Sequence, residues 1–451
     1  MRPITIEVVR LKTRSGRVLS TLLATCLLAG CDLAVINPGP MQDEFLNQVE
    51  AHEAVVQGMA MSLSPGLDRL IYIGSEAAME YTQAGRLHGT KLPVVPGQLT
   101  HQSIPAVTWN WPQRARWIAE DGVRRIEASD PDASSSVNLA RALLYAGYTN
   151  RILGENMCEA VIDTGPVEPI GVHFERAEAY FTRAIEVGTT AGDQQVQQAA
   201  LAGRAAVRLF VGEYSAAASD ATQVPESFVF EARYSSAEVD QYNFIYHVNN
   251  GAPFRAHSVV DTYYDAYYLE TGDPRVRWQN FPPGEVIGGD FAWVPWFPQL
   301  KYTSESSSIN LSSGREMRLV EAEAALRAGD WEGAMLLING LRTSLVSDVT
   351  GEPLAEWESD NLEEAWTALK RERGVELWLE GRRLGDLRRW IDNDAPGDME
   401  DMSTRIRLCF PISNTERQTN PSIALDHEDP TNPLFTGLPA LPADIDYSDR
   451  F

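Results

Sequence analysis

Several of the commonest catalytic patterns are missing from this sequence. Its 451 residues contain no Gly-x-Ser-x-Gly elbow, no Gly-rich loop closed by Gly-Lys-Ser/Thr, no His-Glu-x-x-His and no close pair of cysteines. Those spacings set a nucleophile on a sharp turn, wrap backbone amides round phosphate, or place two imidazoles on one helical face, so their absence removes the usual grounds for such chemistry. Seven histidines, His52, His88, His101, His173, His247, His257 and His427, are scattered without metal-ligand spacing. They read as solvated or singly hydrogen-bonded side chains, and neither a metal nor a cofactor is expected. Positive charge is scarce: 38 Lys+Arg stand against 63 Asp+Glu, a formal net charge of −25. That balance argues against nucleic acid, whose phosphates demand a basic surface, and against attachment through anionic lipid headgroups. A carboxylate pair at glycosidase separation, ~5–9 Å, is available to any acidic chain and implies nothing alone. No apolar run after the N-terminal region reaches the roughly 18 residues that a membrane-spanning helix needs.

The N-terminal region has a different composition. Arg2, Arg10, Lys12, Arg14 and Arg17 precede a short apolar run, Val18 to Gly30, which is too short to span a bilayer and has the form of an export signal. Its end, Leu28-Ala29-Gly30-Cys31, resembles a bacterial lipobox. The resemblance implies removal of residues 1–30 as a signal peptide and lipidation of Cys31, leaving the body tethered to a membrane through an N-terminal lipid. Asp32 follows, and in some bacteria aspartate there favours the inner membrane, so the anchoring is clearer than the membrane. Cys26 leaves with the signal. Cys158 and Cys409 remain as a candidate disulfide, the alternative being two free thiols.

Helical periodicity covers much of the chain. Met41 to Leu63 and Leu67 to Tyr81 read as two helices, followed by a Gly-, Pro- and His-rich loop from Gly85 to Val107. A helix carrying Trp109, Trp111 and Trp117 comes next. Three segments then share a helix–turn–helix grammar: Val137–Leu153 with Phe174–Gly188 after an insertion, a second unit ending at Pro225, and Arg315–Arg342. Gly-Glu-Tyr and Gly-Asp-Trp mark the turns of the second and third, with Ala217 or Ala218 and Ala334 at similar distances beyond. Small residues and an aromatic near the turn, with alanines in the second helix, match the tetratricopeptide pattern. Between these units lies an aromatic stretch rich in Pro and Gly, about 227–310, which reads as short helices and loops with a hairpin near Asp290–Tyr302. The expected fold is mostly all-α: tetratricopeptide-like helices at about 137–225 and 315–390 with a loop-rich, aromatic insert.

One segment stands out, RERGVELWLEGRRLGDLRRW at Arg371–Trp390. Trp366, Leu369, Leu377, Leu384 and Leu387 fall near one helical face, and Asp360 with Glu363 offers a capping-box start near Asn361. The spacing predicts one helix with Glu372, Glu376 and Glu380 paired to Arg371, Arg373, Arg382 and Arg383 on the same cylinder. Gly374, Gly381 and Gly385 each weaken a helix by about 1 kcal/mol, so close backbone contacts are expected there. The segment reads as structural.

With Pro411–Ser413, Glu416 and Asn420–Pro421 after it, this segment resembles the signature of the SusD/RagB family of outer-membrane nutrient-binding lipoproteins. Asp273-Pro274-Arg275, Lys301-Tyr302 and Arg318–Leu326 agree more weakly; Ser413 departs from a common proline, and the family does not require the two mature cysteines. The resemblance spans nearly all of the mature chain and implies one domain, 31–451, with its signature at 371–421 and four tetratricopeptide-like units. It also implies surface exposure at the outer membrane, capture of an oligosaccharide or peptide, and delivery to a SusC-like TonB-dependent barrel. Binding residues vary among relatives, so none is carried over. Glycan capture needs flat aromatic faces, and Trp109, Trp111, Trp293 and Trp296, in or beside loops, are the candidate ligand-binding residues. No catalytic residue is assigned. A tetratricopeptide-type scaffold for envelope proteins and a lipid-anchored glycoside hydrolase stand as the other two readings.

Overall fold

A computed structural model describes residues 43–84, 106–250, 254–279, 295–398 and 408–424. The signal peptide, Cys31, Trp293 and most of the loop expected at Gly85–Val107 lie outside the described residues. The chain divides into two compact units, Met1–Phe45 and Leu46–Phe451, and every α-helix and strand named here belongs to the second.

Helix α1 (His52–Ala77) packs on α2 (Ala106–Ser129), with the two-residue strand β1 (Thr82–Gln83) between them in sequence. Two helices were expected where α1 runs unbroken, with Pro65 in its interior. Proline cannot donate to the carbonyl four residues earlier and ordinarily breaks a helix, at a cost of about 3 kcal/mol. Here Gln241 Nε2 donates to that carbonyl, Met61 O, at 3.2 Å, and Tyr234 OH donates to Ser64 O at 2.8 Å. The compensating donor, Gln241, comes from far along the chain, which is why the local pattern indicates a break.

The repeat units follow as expected. Helix α3 (Val137–Asn156) pairs with α4 (Gly171–Ala191), the insertion between them forming an antiparallel hairpin of β2 (Glu159–Val161) and β3 (Val167–Pro169). Helix α5 (Gln194–Phe210) packs on α4 and on the short α6 (Tyr214–Ala221). The insert contributes β4 (Val229–Ala232), α7 (Phe244–Asn249), β5 (His257–Ser258), which pairs with β1, and α8 (Tyr263–Thr271). Of the hairpin expected at Asp290–Tyr302, the described part holds one antiparallel bridge, Trp278 to Gln299. Strand β6 (Ile309–Ser313) returns to pair with β4 and leads into the third unit, α9 (Gly314–Arg327) and α10 (Trp331–Thr343). Both predicted turns carry a left-handed glycine, Gly212 at φ 84° and Gly329 at φ 86°, a conformation that costs residues with a Cβ. Asp330 then caps α10, accepting the Gly333 N–H at 2.9 Å.

Helix α9 packs on α5, α6, α10 and α11 (Leu362–Glu376), so the last unit closes back on the second. Asn361 caps α11, accepting the Glu364 N–H at 3.0 Å, one residue along from the predicted box. Helices α12 (Arg383–Asp392) and α13 (Asn414–Thr419) complete thirteen α-helices among the described residues. A single large apolar cluster runs from α1 to Ile423, and a smaller one lies among α5, α6 and α9. Among the described residues no helix is long and apolar enough to cross a membrane.

Candidate functional site

The signature segment is not one helix. Helix α11 ends at Glu376, and α12 begins at Arg383. Leu379 at φ 58° and Gly381 at φ 74° turn the chain between them. A Cβ at position 381 would lie 2.9 Å from Ile71 Cγ1, and one at 385 would lie 2.7 Å from the Glu155 carbonyl oxygen. These glycines therefore let α1 and α3 approach, as their number in the segment suggested. The turn is clamped by the two residues 301–302: Lys301 Nζ donates to Trp378 O at 2.6 Å and to Glu380 Oε1 at 2.8 Å, and Tyr302 OH donates to Leu379 O at 2.9 Å. Glu80, buried, accepts the Leu379 N–H at 2.9 Å.

The expected ion pairs form with other partners. Glu372 and Glu376 bind Arg275 at 2.5 and 2.8 Å, and Arg315 Nε adds 3.0 Å to Glu376. Arg373 grips Asp386, Arg389 pairs with Glu323, and Arg382 lies 3.1 Å from Glu155 and 2.8 Å from Glu316. Burial opposes charge on Glu376 and Asp386, yet the guanidinium groups hold both carboxyls below their ordinary range. Arg373, Glu372 and Asp386 are all buried. Such a network positions helices and leaves no surface for a ligand.

A more promising place lies on α2. Trp109, Gln113 and Trp117, at i, i+4 and i+8, share one helical face and line a cavity of about 210 Å³ with Arg114, Arg116, Val161, Asp163 and Glu416. Trp117 is 47% exposed. Arg114 is exposed and has no ion pair or hydrogen bond among the described residues. Gln113 Oε1 accepts from Arg116 Nε at 3.2 Å, and among the described residues neither Gln113 Nε2 nor Trp109 Nε1 has a hydrogen-bond partner. Arg116 is buried and tied at 2.6 Å to Glu120 and at 2.8 Å to Asp163. Behind it, Glu120 accepts from Asn150, whose Oδ1 lies 2.9 Å from His173 Nδ1. Burial, with Arg116 and Arg176 nearby, pushes His173 down to about 3, so the imidazole is neutral.

The opposite wall is built by the C-terminal segment. Cys158 and Cys409 are joined, with Cα atoms 5.0 Å apart, and the backbone pairs beside them: Cys158 N–H donates to Phe410 O at 2.9 Å and Phe410 N–H to Asn156 O at 2.7 Å. Ser413 caps α13, accepting the Glu416 N–H at 3.2 Å. Asn420 Nδ2 donates to Gly165 O and to Glu416 Oε1, both at 3.0 Å, and Ser422 Oγ donates to Thr164 O at 2.8 Å. The closing loop thus clasps the β2–β3 turn that carries Asp163 and holds Glu416 beside it.

The four tryptophans named from sequence are not brought together. Trp109 borders the cavity but is 1% exposed and belongs to the main core, so its ring faces are covered by protein. Trp111 is half-buried and meets the Arg69 guanidinium at 4.9 Å. Trp296 is 8% exposed, donates Nε1–H to Asn249 O at 2.8 Å and has Arg255 4.7 Å from its ring centroid. Trp109 and Trp296 are therefore buried in packing in this structure, since flanking loop composition says nothing of which way a ring turns. Trp117, Arg114, Gln113, Asp163 and Glu416 were not among the ligand-binding candidates, and Glu416 entered only as part of the signature. The spacing of Trp109, Gln113 and Trp117 was the available signal, whereas Asp163 and Glu416 join them only through the fold.

This arrangement, tetratricopeptide-like hairpins with a lateral aromatic cavity under a tied C-terminal segment, is that of a helical-repeat scaffold. Residues 297–422 match the model of the SusD family. The structure is similar to a SusD superfamily protein from Bacteroides thetaiotaomicron (16% identity, 84% of this chain and 99% of that one, TM-score 0.63). It is also similar to a SusD-like carbohydrate binding protein from Bacteroides vulgatus (16%, 76% and 83%, 0.58). Surface glycan-binding protein A from Bacteroides uniformis shares the fold too (13%, 82% and 98%, 0.60). No curated protein sequence matches. The family match is confined to residues 297–422, and over the rest of the chain the likeness to these solved structures is one of fold.

Proposed function

We propose that the mature chain, 31–451, acts as one SusD/RagB-like domain that captures an oligosaccharide non-catalytically at the outer membrane, held there through Cys31. It then passes the ligand to a SusC-like TonB-dependent barrel. The likeness to solved proteins described as carbohydrate- and glycan-binding supports the ligand class. The observation that carries the site is the half-exposed Trp117 ring beside the unpaired Arg114, with Asp163 and Glu416 opposite. A sugar ring offers C–H groups to a flat aromatic face and hydroxyls to charged groups at its edge, and this cavity presents both.

The test uses the soluble chain beginning after Cys31. A glycan array identifies a binder, and calorimetric titration of that binder is repeated with Trp117→Ala and Arg114→Ala. Both variants should lose most of the affinity while keeping the wild-type melting temperature. Unchanged affinity in Trp117→Ala removes the site. Turnover of an oligosaccharide by the pure protein would favour the hydrolase reading, and purely proteinaceous partners without glycan binding would favour the scaffold.

A further inference from the structure

A second cavity lies away from the α2 site, between α1 on one side and α3 and α5 on the other, with a volume of about 330 Å³. Five consecutive residues, Val229 to Arg233, line it. Strand β4 is irregular between Phe230 and Glu231, and side chains otherwise alternate across an extended strand, so five in a row bring backbone as well as side chains to the lining. The edge of β4 faces the cavity. Its other edge pairs with β6, and among the described residues the only hydrogen bonds to Val229–Ala232 are those of that pairing. A second, more open cavity of about 470 Å³ shares Val229 and Gln195 with the first and extends the groove back along the chain to Pro225.

Unpaired strand edges template further strands, and natural proteins usually cover them. Here α1 on one side and α3 and α5 on the other wall the edge. Its chemistry selects an occupant. Leu63, Leu144 and Val196 make an apolar floor, and Met61 and Val229 at the mouth are 53% and 44% exposed. Arg233, exposed and without an ion pair among the described residues, and Arg141, half-exposed and bonded to Asp193, bring positive charge into a chain of formal charge −25. Glu231 is the one carboxylate in the lining.

We infer that this groove docks an extended acidic segment of a partner protein by strand addition to the free edge of β4, its apolar residues on the floor and its carboxylates toward Arg233 and Arg141. Main-chain hydrogen bonds supply the affinity in this mode, and alternate side chains supply the selectivity. The glycan site on α2 shares no residue with the groove, so either can fail without the other.

Fluorescein-labelled Asp-Val-Asp-Val-Asp-Val is the probe, titrated by anisotropy against the whole mature chain beginning after Cys31. Saturable binding is expected, with amide hydrogen exchange slowed at Val229–Ala232. N-methylation of alternate peptide amides should abolish binding. Arg233→Glu should weaken it by about tenfold or more, since a like charge replaces an attractive one; the exposed, unpaired Arg233 makes that variant safe for folding, which a thermal melt checks. No binding, binding indifferent to N-methylation or to Arg233→Glu, or unchanged exchange at β4 would each overturn the proposal. Displacement of the peptide by trigalacturonate with the same dependence on Arg233 would overturn it too, because the groove would then be a sugar-acid site.

Discussion

Arg373 holds Asp386 with two hydrogen bonds, of 3.0 and 3.1 Å, across a turn in which Leu379 and Gly381 both have positive φ. The pair joins α11 to α12 where the signature segment folds back, and both side chains are buried. Removing one partner leaves the other charge buried and uncompensated. Arg373→Ala should therefore lower unfolding free energy by about 3–5 kcal/mol, read by urea denaturation, with ligand preference unchanged. A well-folded variant with altered ligand choice would mean that the junction touches ligand after all.

Gly381→Ala addresses the turn itself. The residue sits at φ 74° with Ile71 Cγ1 2.9 Å from the site of a Cβ. Left-handed strain and the clash with α1 act together, and a loss of about 1–3 kcal/mol is expected from denaturation curves. A neutral result would show that α1 yields at no cost.

His173 should give the protein an acid-side weakness. Its folded value, pushed down to about 3, lies below the ordinary value of 6.5, so the unfolded chain binds a proton in this window and the folded chain does not. Stability from this group is full above about pH 6.5 and is lost as pH falls toward 3, roughly 2 kcal/mol by pH 5. Asp68, Glu155 and Glu316, each pushed by burial up to about 7, act in the opposite sense, stabilising the fold as pH falls below 7. The difference between wild-type and His173→Gln profiles isolates the imidazole, and parallel profiles would refute its part.

The disulfide closes a sequence separation of 251 residues, for which loop entropy gives about 5.5 kcal/mol. Cys158→Ser with Cys409→Ser should lower stability by several kcal/mol and loosen the wall holding Asp163 and Glu416, weakening glycan binding as well. Thiol titration of the native, non-reduced protein should find neither cysteine free.

The tryptophans separate packing from recognition. Trp109→Ala and Trp296→Ala each empty a buried ring volume and should destabilise by about 3–5 kcal/mol. Trp117→Ala, at an exposed position, should melt like the wild type. If Trp296→Ala melts normally and loses ligand, the ring is reached by solvent and the earlier expectation for it stands.

Much of the body was legible because repeat helices carry their own periodicity and their turns need particular residues. Gly212 and Gly329 occupy left-handed positions that a glycine before an acidic residue and an aromatic announces, and the units at Val137–Gly188 and Arg315–Arg342 follow. Motif and glycine content likewise marked Arg371–Trp390 as a structural keystone. Local pattern could not reveal its fold-back, because Leu379 takes positive φ through contacts supplied by Glu80 and Tyr302. Nor could it reveal the unbroken α1, where Gln241 supplies the bond that Pro65 cannot. The candidate site divides in the same way. Trp109, Gln113 and Trp117 share a face by helical spacing, which any sequence states openly. Asp163 and Glu416 reach that face only because a disulfide and Asn420 bring residues 250 positions apart onto one hairpin, a long-range juxtaposition that residue order does not encode.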